Sequence, residues 1–488
     1  MSRSRGAAPP RRFARAMWHA ALNHRVPLLW GLFLVVGMQF LEYHRLLGGF
    51  EGIVLDWWVR ASASNVAETV PILIVDIDEA SHQACFGGRS PLPPESIRAI
   101  LSELTDHIGK RQPVVMGVDI LTDSATENYD TLRDLSTRRE KDNVAWIVWA
   151  APPAVSNTDV PPFWRWLWGE EEEIVVESSS VLGLDLNGNL VDKRARDPNQ
   201  PAPAPQAPEK PPDAADHGML PVPDGNLHWA MPLYPKEEDA RVRRYPREIF
   251  VANSLRPDKM EYTWPRQIAY LYARHQDRFG EKVKEVIVSY NAGFLPGKNP
   301  SPAGASPRPP YSYKLNELFV CEENPGTKNV TFAPTSEMER YRGLLNGENP
   351  PIVLLGGTFE LERDTYPTSR GTTPGLFINA YALAAEIAKG SNGIGIREWD
   401  RRVPLGLDFL VMLGIVWVFS FDVGIRGKIG LSVFPVLATL GLSYGAFRLH
   451  YLWVSCVGIA LGFPLHLLVE VFLDAGHIHQ GRAHKKSA

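Results

Sequence analysis

The sequence predicts an α/β protein, an extracytoplasmic layered domain with a mainly parallel sheet plus four transmembrane helices, one before it and three after it. Three observations carry this expectation. Apolar residues gather near the two ends of the 488-residue chain in runs almost free of charge. Between them lie five unbroken, β-rich apolar runs without polar alternation, as expected of strands covered on both faces. Segments with helical periodicity separate those runs, and strand–helix alternation argues for a parallel sheet.

Taken in order, residues 1–25 are a basic cytoplasmic lead. Arg3, Arg5, Arg11, Arg12, Arg15 and Arg25 all precede the first acidic residue, Glu42, which holds this end inside by the positive-inside rule. Residues 26–47 are the first predicted span, built on VPLLWGLFLVVGMQFL. No small-residue cleavage site follows it, so an uncleaved anchor is expected. Residues 48–402 form the predicted outer domain. Its strands are expected at Ile72–Asp78, Val114–Ile120, Ala145–Ala150, Val286–Gly293 and Ile352–Thr358. The segment PPESIRAILSELTDHIG sets Ile97, Ile100, Leu101 and Leu104 on one helical face, and TWPRQIAYLYARHQ and GLFINAYALAAEIAKG pattern similarly. Two proline-rich excursions, 198–223 with nine prolines and 295–312, lack the apolar content of core elements.

Residues 403–422, 429–447 and 451–473 are the three later spans, followed by a cytoplasmic tail at 474–488. A bilayer core of about 30 Å calls for ~20 largely apolar residues in a helix. The last two windows reach this directly, and the first two do so with their flanks. Arg426 and Lys428 fall on the inside of this topology, with both termini. Arg397, Arg401 and Arg402 run against the rule, but charges of a translocated domain count weakly. Asp408 and Glu470 lie toward span ends, where snorkelling to the interface is the cheaper arrangement. Ser443 in GLSYG lacks the strand–turn–helix setting of a nucleophile elbow. His477, His479 and His484 read as part of a solvated, lipid-facing tail.

Composition excludes several classes. Lysine plus arginine is 51 against 55 acidic residues, a net charge of −4, which argues against a nucleic-acid partner. Three cysteines exclude a disulfide-framed scaffold and a four-thiolate zinc site. Cys85 and Cys321 stay open between two readings: a bridge, if the region faces an oxidising compartment, or two unpaired thiols.

One resemblance covers nearly the whole chain. The order is a basic lead, a span, DWWVR at Asp56–Arg60, ILIVDIDEAS at Ile72–Ser81, a helix, and VVMGVDIL at Val114–Leu121. Much later comes PIVLLGGTFELERDTYPTSRGTTPGLFINAYALAAEIAKG, then three spans. This resembles the type-two CHASE domain, an extracellular sensory domain associated with cyclases and histidine kinases. The loop GGRSPLPPES departs from the WPWPR wording common after the DIDE element. The resemblance implies a membrane-anchored extracytoplasmic sensor in the cell (inner) membrane. Only 15 residues follow Leu473, so the output is expected to be a separate cytoplasmic signalling or effector protein. Membrane lipid is a further expected partner, and homo-oligomerisation is left open. The alternative from another class is a non-catalytic subunit or scaffold of a membrane complex.

The candidate ligand-binding residues are Asp76, Asp78, Asp119 and Asp364, which end or follow three predicted strands. Ligands of open parallel sheets bind outside the carboxyl ends of the strands. Such acids can coordinate Ca²⁺ or Mg²⁺ or hydrogen-bond a polar ligand. Against this stands a structural role, as helix caps or as partners of Arg60, Arg89 or Arg370. A metal-dependent phosphohydrolase reading starts from Asp76-x-Asp78 as a nucleophile loop, with Thr358 as a second motif. It fails afterwards, since Lys389 and Asp364 supply no clustered acidic pair. No catalytic residue, cofactor or enzyme activity is expected, and no metal is assigned.

Overall fold

The structure is a computed structural model that describes residues 25–61, 72–90, 92–105, 114–120, 145–150, 153–159, 162–167, 173–178, 182–184, 190–192, 227–234, 236, 239–251, 260–273, 285–287, 311–323, 330–347, 350–359, 365–368, 371–387, 396–398, 402–419, 425–450 and 452–454. Both proline-rich excursions, apart from residues 311 and 312, lie outside these residues, as do Asp364, Arg370, Glu470 and the tail histidines. The helices are α1 (Arg25–Tyr43), α2 (Gly48–Ala61), α3 (Glu79–Phe86), α4 (Pro94–Thr105), α5 (Phe163–Leu167), α6 (Trp264–Tyr272), α7 (Leu315–Leu318), α8 (Ser336–Leu345), α9 (Gly375–Ile387), α10 (Arg402–Phe419) and α11 (Ile425–His450). The chain divides into a sheet unit, Val59–Val160 with Glu172–Arg397, and a helix unit, Met1–Trp58 with Pro161–Glu171 and Glu398–Ala488.

The sheet unit is built on six strands, β1 (Ile72–Ile77), β2 (Val114–Asp119), β3 (Ala145–Ala150), β4 (Leu227–Ala230), β5 (Tyr311–Lys314) and, after the hairpin β6 (Phe319–Glu323) and β7 (Val330–Pro334), β8 (Ile352–Gly357). Every pairing among the six is parallel, in the order β5-β1-β8-β2-β3-β4. Side chains alternate across a strand. Leu73, Val75 and Ile77 therefore enter one core with α3, α4, α7 and α8, while Ile72 and Ile74 enter another with α6 and α9. Both faces are covered, which explains why these strands read as unbroken apolar runs. On α4, Ile97, Ile100, Leu101 and Leu104 are all buried, as their spacing requires. Every residue of α9 is buried, matching a helix that is apolar almost all round.

Two close approaches fix helices on the sheet. A Cβ on Gly117 of β2 would lie 2.6 Å from Trp264 Cζ2 and 2.6 Å from Ile268 Cδ1, both on α6. The buried Trp264 indole donates to Val148 O at 3.1 Å, so it cannot swing away without losing that bond. A disulfide joins Cys85 of α3 to Cys321 of β6, 236 residues apart. Of the two sequence readings for these thiols, the bridge is the one observed. Fully buried charge is paired: Arg247 Nε meets Glu386 Oε1 at 2.7 Å, with both side chains under 4% exposed.

The mainly parallel sheet agrees with the sequence expectation, with two differences. Of the run Val286–Gly293, the described part pairs antiparallel with Arg244–Pro246 outside the central sheet. Both edge strands, LHWA and YSYK, were unanticipated; β5 begins at Tyr311, inside the segment read as a proline-rich excursion ending at 312. Edge strands bury less and so carry a weaker apolar signature.

In the helix unit, α1 and α2 are separated by a tight turn with Arg45 at φ 57°. Trp58 of α2 packs its ring on Tyr444, Phe447 and Trp453. Phe163 of α5 packs on Phe40 and Tyr43 of α1. Gln39 Nε2 of α1 donates to Asp408 Oδ2 of α10 at 3.0 Å, and Asp408 is 9% exposed. Asp408 therefore faces a neighbouring helix and does not snorkel outward. Ser443 lies within α11 and donates to Val454 O at 2.7 Å, which commits its hydroxyl to the backbone. Among the described residues, no helix is long and apolar enough to cross a membrane. At 1.5 Å per residue, α1 and α10 reach ~28 and ~27 Å. The longer α11 carries Arg426 and Lys428 at one end and Arg448 and His450 at the other. The window 451–473 opens with a two-residue strand, Leu452–Trp453, and its remainder past 454 lies outside the described residues.

Candidate functional site

The carboxyl edge of the central sheet gathers three of the four sequence candidates. Asp76 ends the apolar run of β1 and is 5% exposed. Its register partner on β8 is Gly356, and Gly356 pairs in turn with Asp119 of β2. The three positions form one row across the sheet. Paired residues of a parallel ladder face the same side, so both acids face α9. Gly356 keeps that row closed. A Cβ there would meet Leu376 Cδ1 at 2.8 Å and Asp119 O at 3.0 Å.

Each acid has a distinct set of contacts. Thr358, one step beyond β8, donates its hydroxyl to Asp76 Oδ1 at 2.7 Å, and its N–H bonds Ile77 O at 3.0 Å. Burial pushes the Asp76 carboxyl up to about 6; the Thr358 hydrogen bond opposes that rise, the nearby Asp78 charge adds to it and Lys314 subtracts. Asp78 sits at the N-cap of α3, its Oδ1 accepting from Ser81 N–H at 2.8 Å and Ser81 Oγ at 2.7 Å. Its Oδ2 meets Lys314 Nζ of β5 at 2.7 Å. Burial alone raises the Asp78 pKa, but the Lys314 and Ser81 hydrogen bonds outweigh it and hold the carboxyl below its ordinary value. Asp119 Oδ2 accepts from Asn379 Nδ2 of α9 at 2.6 Å.

Sequence reasoning foresaw the cap role of Asp78 but named arginines as partners; the cation is Lys314. It did not single out Asn379 or Lys314. Asn379 had a visible signal, a lone amide inside the apolar GLFINAYALAAEI helix. Lys314 had none, because its strand was unanticipated. Beside the cap lies His82, fully buried and stacked on Phe359 at 3.9 Å, its Nε2 donating to Arg89 O at 2.8 Å.

Chemically, the edge offers one carboxyl able to titrate near neutrality and a charged cap pair beside it. Asp76 and Thr358, the two residues that opened the phosphohydrolase comparison, do touch. The second acid of that comparison is committed to Ser81 and Lys314. Among the described residues, no group of three or more His, Cys, Asp or Glu side chains is placed to hold a metal ion. The contacts of Asp76, Asp78 and Asp119 are those of a polar hydrogen-bonded rim.

A comparison with protein-family models matches residues 30–420 to the CHASE2 domain. No curated protein and no solved structure matches the chain.

Proposed function

The chain belongs to the CHASE2 domain family, an extracellular sensory family, and from that premise we propose that it is a membrane-anchored extracytoplasmic sensor that signals to a separate cytoplasmic partner. The observation that carries this reading is the Cys85–Cys321 disulfide of the sheet unit. Disulfides persist in oxidising compartments outside the cytoplasm, while the six-arginine lead favours an inside N-terminus. A chain with those two features passes through the cell membrane between them.

Anchoring is supported by the outward side chains of the helix unit. Leu29 and Leu32 on α1, Leu410 on α10, and Phe434, Leu437 and Leu442 on α11 are 46–73% exposed. Apolar surface on that scale marks an interaction site in water and is ordinary in lipid. The Gln39–Asp408 bond joins the helix before the sheet unit to the helix after it, so a displacement of either is felt by the other. In this reading the carboxyl edge, with Asp76 and Asp119, is the sensory element, and the termini lie in the cytoplasm.

Cysteine accessibility in intact cells tests the topology, using a Cys456→Ser background and a membrane-impermeant maleimide. Cysteines introduced near Pro205 should label from outside, and those replacing Ser4 or Ser487 should not. External labelling at Ser487 would overturn the topology.

A further inference from the structure

The helix α2 follows α1 after a four-residue turn and has two unlike faces. Leu55, Trp58 and Val59 are buried, at 1%, 2% and 4% exposure. The opposite face is apolar and open: Phe50 is 44% exposed, Ile53 60% and Trp57 66%, with Leu46 just before the helix at 71%. The spacing 50, 53, 57 places the three helical residues on one stripe, and Leu46 stands exposed in the turn that leads into it. Neither acid of α2 interrupts it. Glu51 accepts from Trp453 Nε1 at 3.0 Å, and Asp56 is buried. A second exposed tryptophan, Trp164 at 63%, sits on α5, whose Phe163 packs on Tyr43 at the end of α1.

We propose that the outward face of α2, with Trp164, lies in the headgroup–acyl boundary of the membrane, as an interfacial collar around the outer end of α1. This rests on the membrane-anchored reading given above. The stripe is continuous in character with the exposed apolar exteriors of α1, α10 and α11 in the same unit. Tryptophan is the residue most at home at that depth, with an apolar ring and a polar N–H. Helices lying on membranes usually carry a charged face toward water. Here that face is replaced by protein, through Trp58 on Tyr444, Phe447 and Trp453, so the side of α2 opposite the stripe needs no charged surface toward water. A second copy of the chain is the less suited occupant. A 14-residue helix is ~21 Å long and presents a strip ~10 Å wide, about 200 Å² against the ~800 Å² each partner contributes to a stable interface.

The test uses the full chain in the Cys456→Ser background, reconstituted into phosphatidylcholine–phosphatidylglycerol vesicles, with a nitroxide at Ile53→Cys, at Trp57→Cys, or at Phe434→Cys on α11. Collisional access to oxygen, which partitions into lipid, is compared with access to a water-soluble nickel chelate. All three labels should favour oxygen, with Ile53 and Trp57 shallower than Phe434. Nickel access at Ile53 and Trp57 with oxygen access at Phe434 overturns the collar and leaves the anchored reading standing. Nickel access at all three overturns both. Dipolar broadening at Ile53 that disappears on dilution with unlabelled protein assigns the face to a second copy and overturns the collar.

Discussion

Asp76 and Asp78 are two residues apart, yet the fold shifts them in opposite directions. Asp76 titrates at about 6 in the folded chain against 3.8 in the unfolded one, with burial the leading cause. The folded state thus favours its protonated form. That contribution is complete below pH ~4 and is lost as pH rises through 6, at most about 3 kcal/mol at 1.36 kcal/mol per pH unit. Asp76→Asn keeps the acceptor for Thr358 and removes the charge. It should raise the melting temperature at pH 7.5, leave it unchanged near pH 4, and flatten the profile between; an unchanged profile would refute the assignment. Asp78 runs the other way: its stabilisation is present at neutral pH and fades as acid protonates it. Asp78→Ala should destabilise by about 0.5–2 kcal/mol through loss of the cap, and Asp78→Asn by less. Millimolar Mg²⁺ or Ca²⁺ should leave wild-type melting in place. A metal-dependent rise that both variants lose would instead make the edge a cation site. The cap was legible only as a general role for an aspartate between a strand and a helix; the Lys314 contact was not, since nothing local ties residue 314 to residue 78.

Elements buried on both faces were legible, because an apolar run of six survives any reading frame. The four-residue edge strands LHWA and YSYK are short and broken by His228 in the one and by Ser312 and Lys314 in the other, so they give no such run. Glycine in the GVDI segment was legible only as part of a resemblance, and its role is one of clearance. Gly117→Ala forces a methyl into Trp264 and Ile268, both buried and one of them held by a hydrogen bond. Overpacking of this kind costs about 1–3 kcal/mol. The urea midpoint should fall with the slope unchanged. Gly343, exposed on α8 with nothing within 4 Å of an added Cβ, is the control, and Gly343→Ala should be neutral or slightly stabilising.

At the scale of the whole molecule, each unit is assembled from pieces distant in sequence. The disulfide is the covalent form of that long-range assembly. Reduction, or Cys321→Ser, should lower sheet-unit stability by about 2–5 kcal/mol. Near-ultraviolet dichroism and amide exchange in β1 and β8 would report the loss, while amides of α11 should keep their protection. Loss of protection in α11 to the same extent would mean the two units unfold as one. The strand order has a further consequence, for the time course of folding. The neighbours of β1 in the sheet are β5 and β8, so the first core strand made has nothing to pair with until residues beyond 310 arrive. Cys85 and Cys321 are 236 residues apart, and at ~5–20 residues per second of synthesis that interval is roughly 10–50 s. For that time ILIV at the start of β1 stands as an unpaired apolar strand, a template for the wrong partner. Over that interval any cover for β1 has to come from the chain between β1 and β5 or from a bound partner.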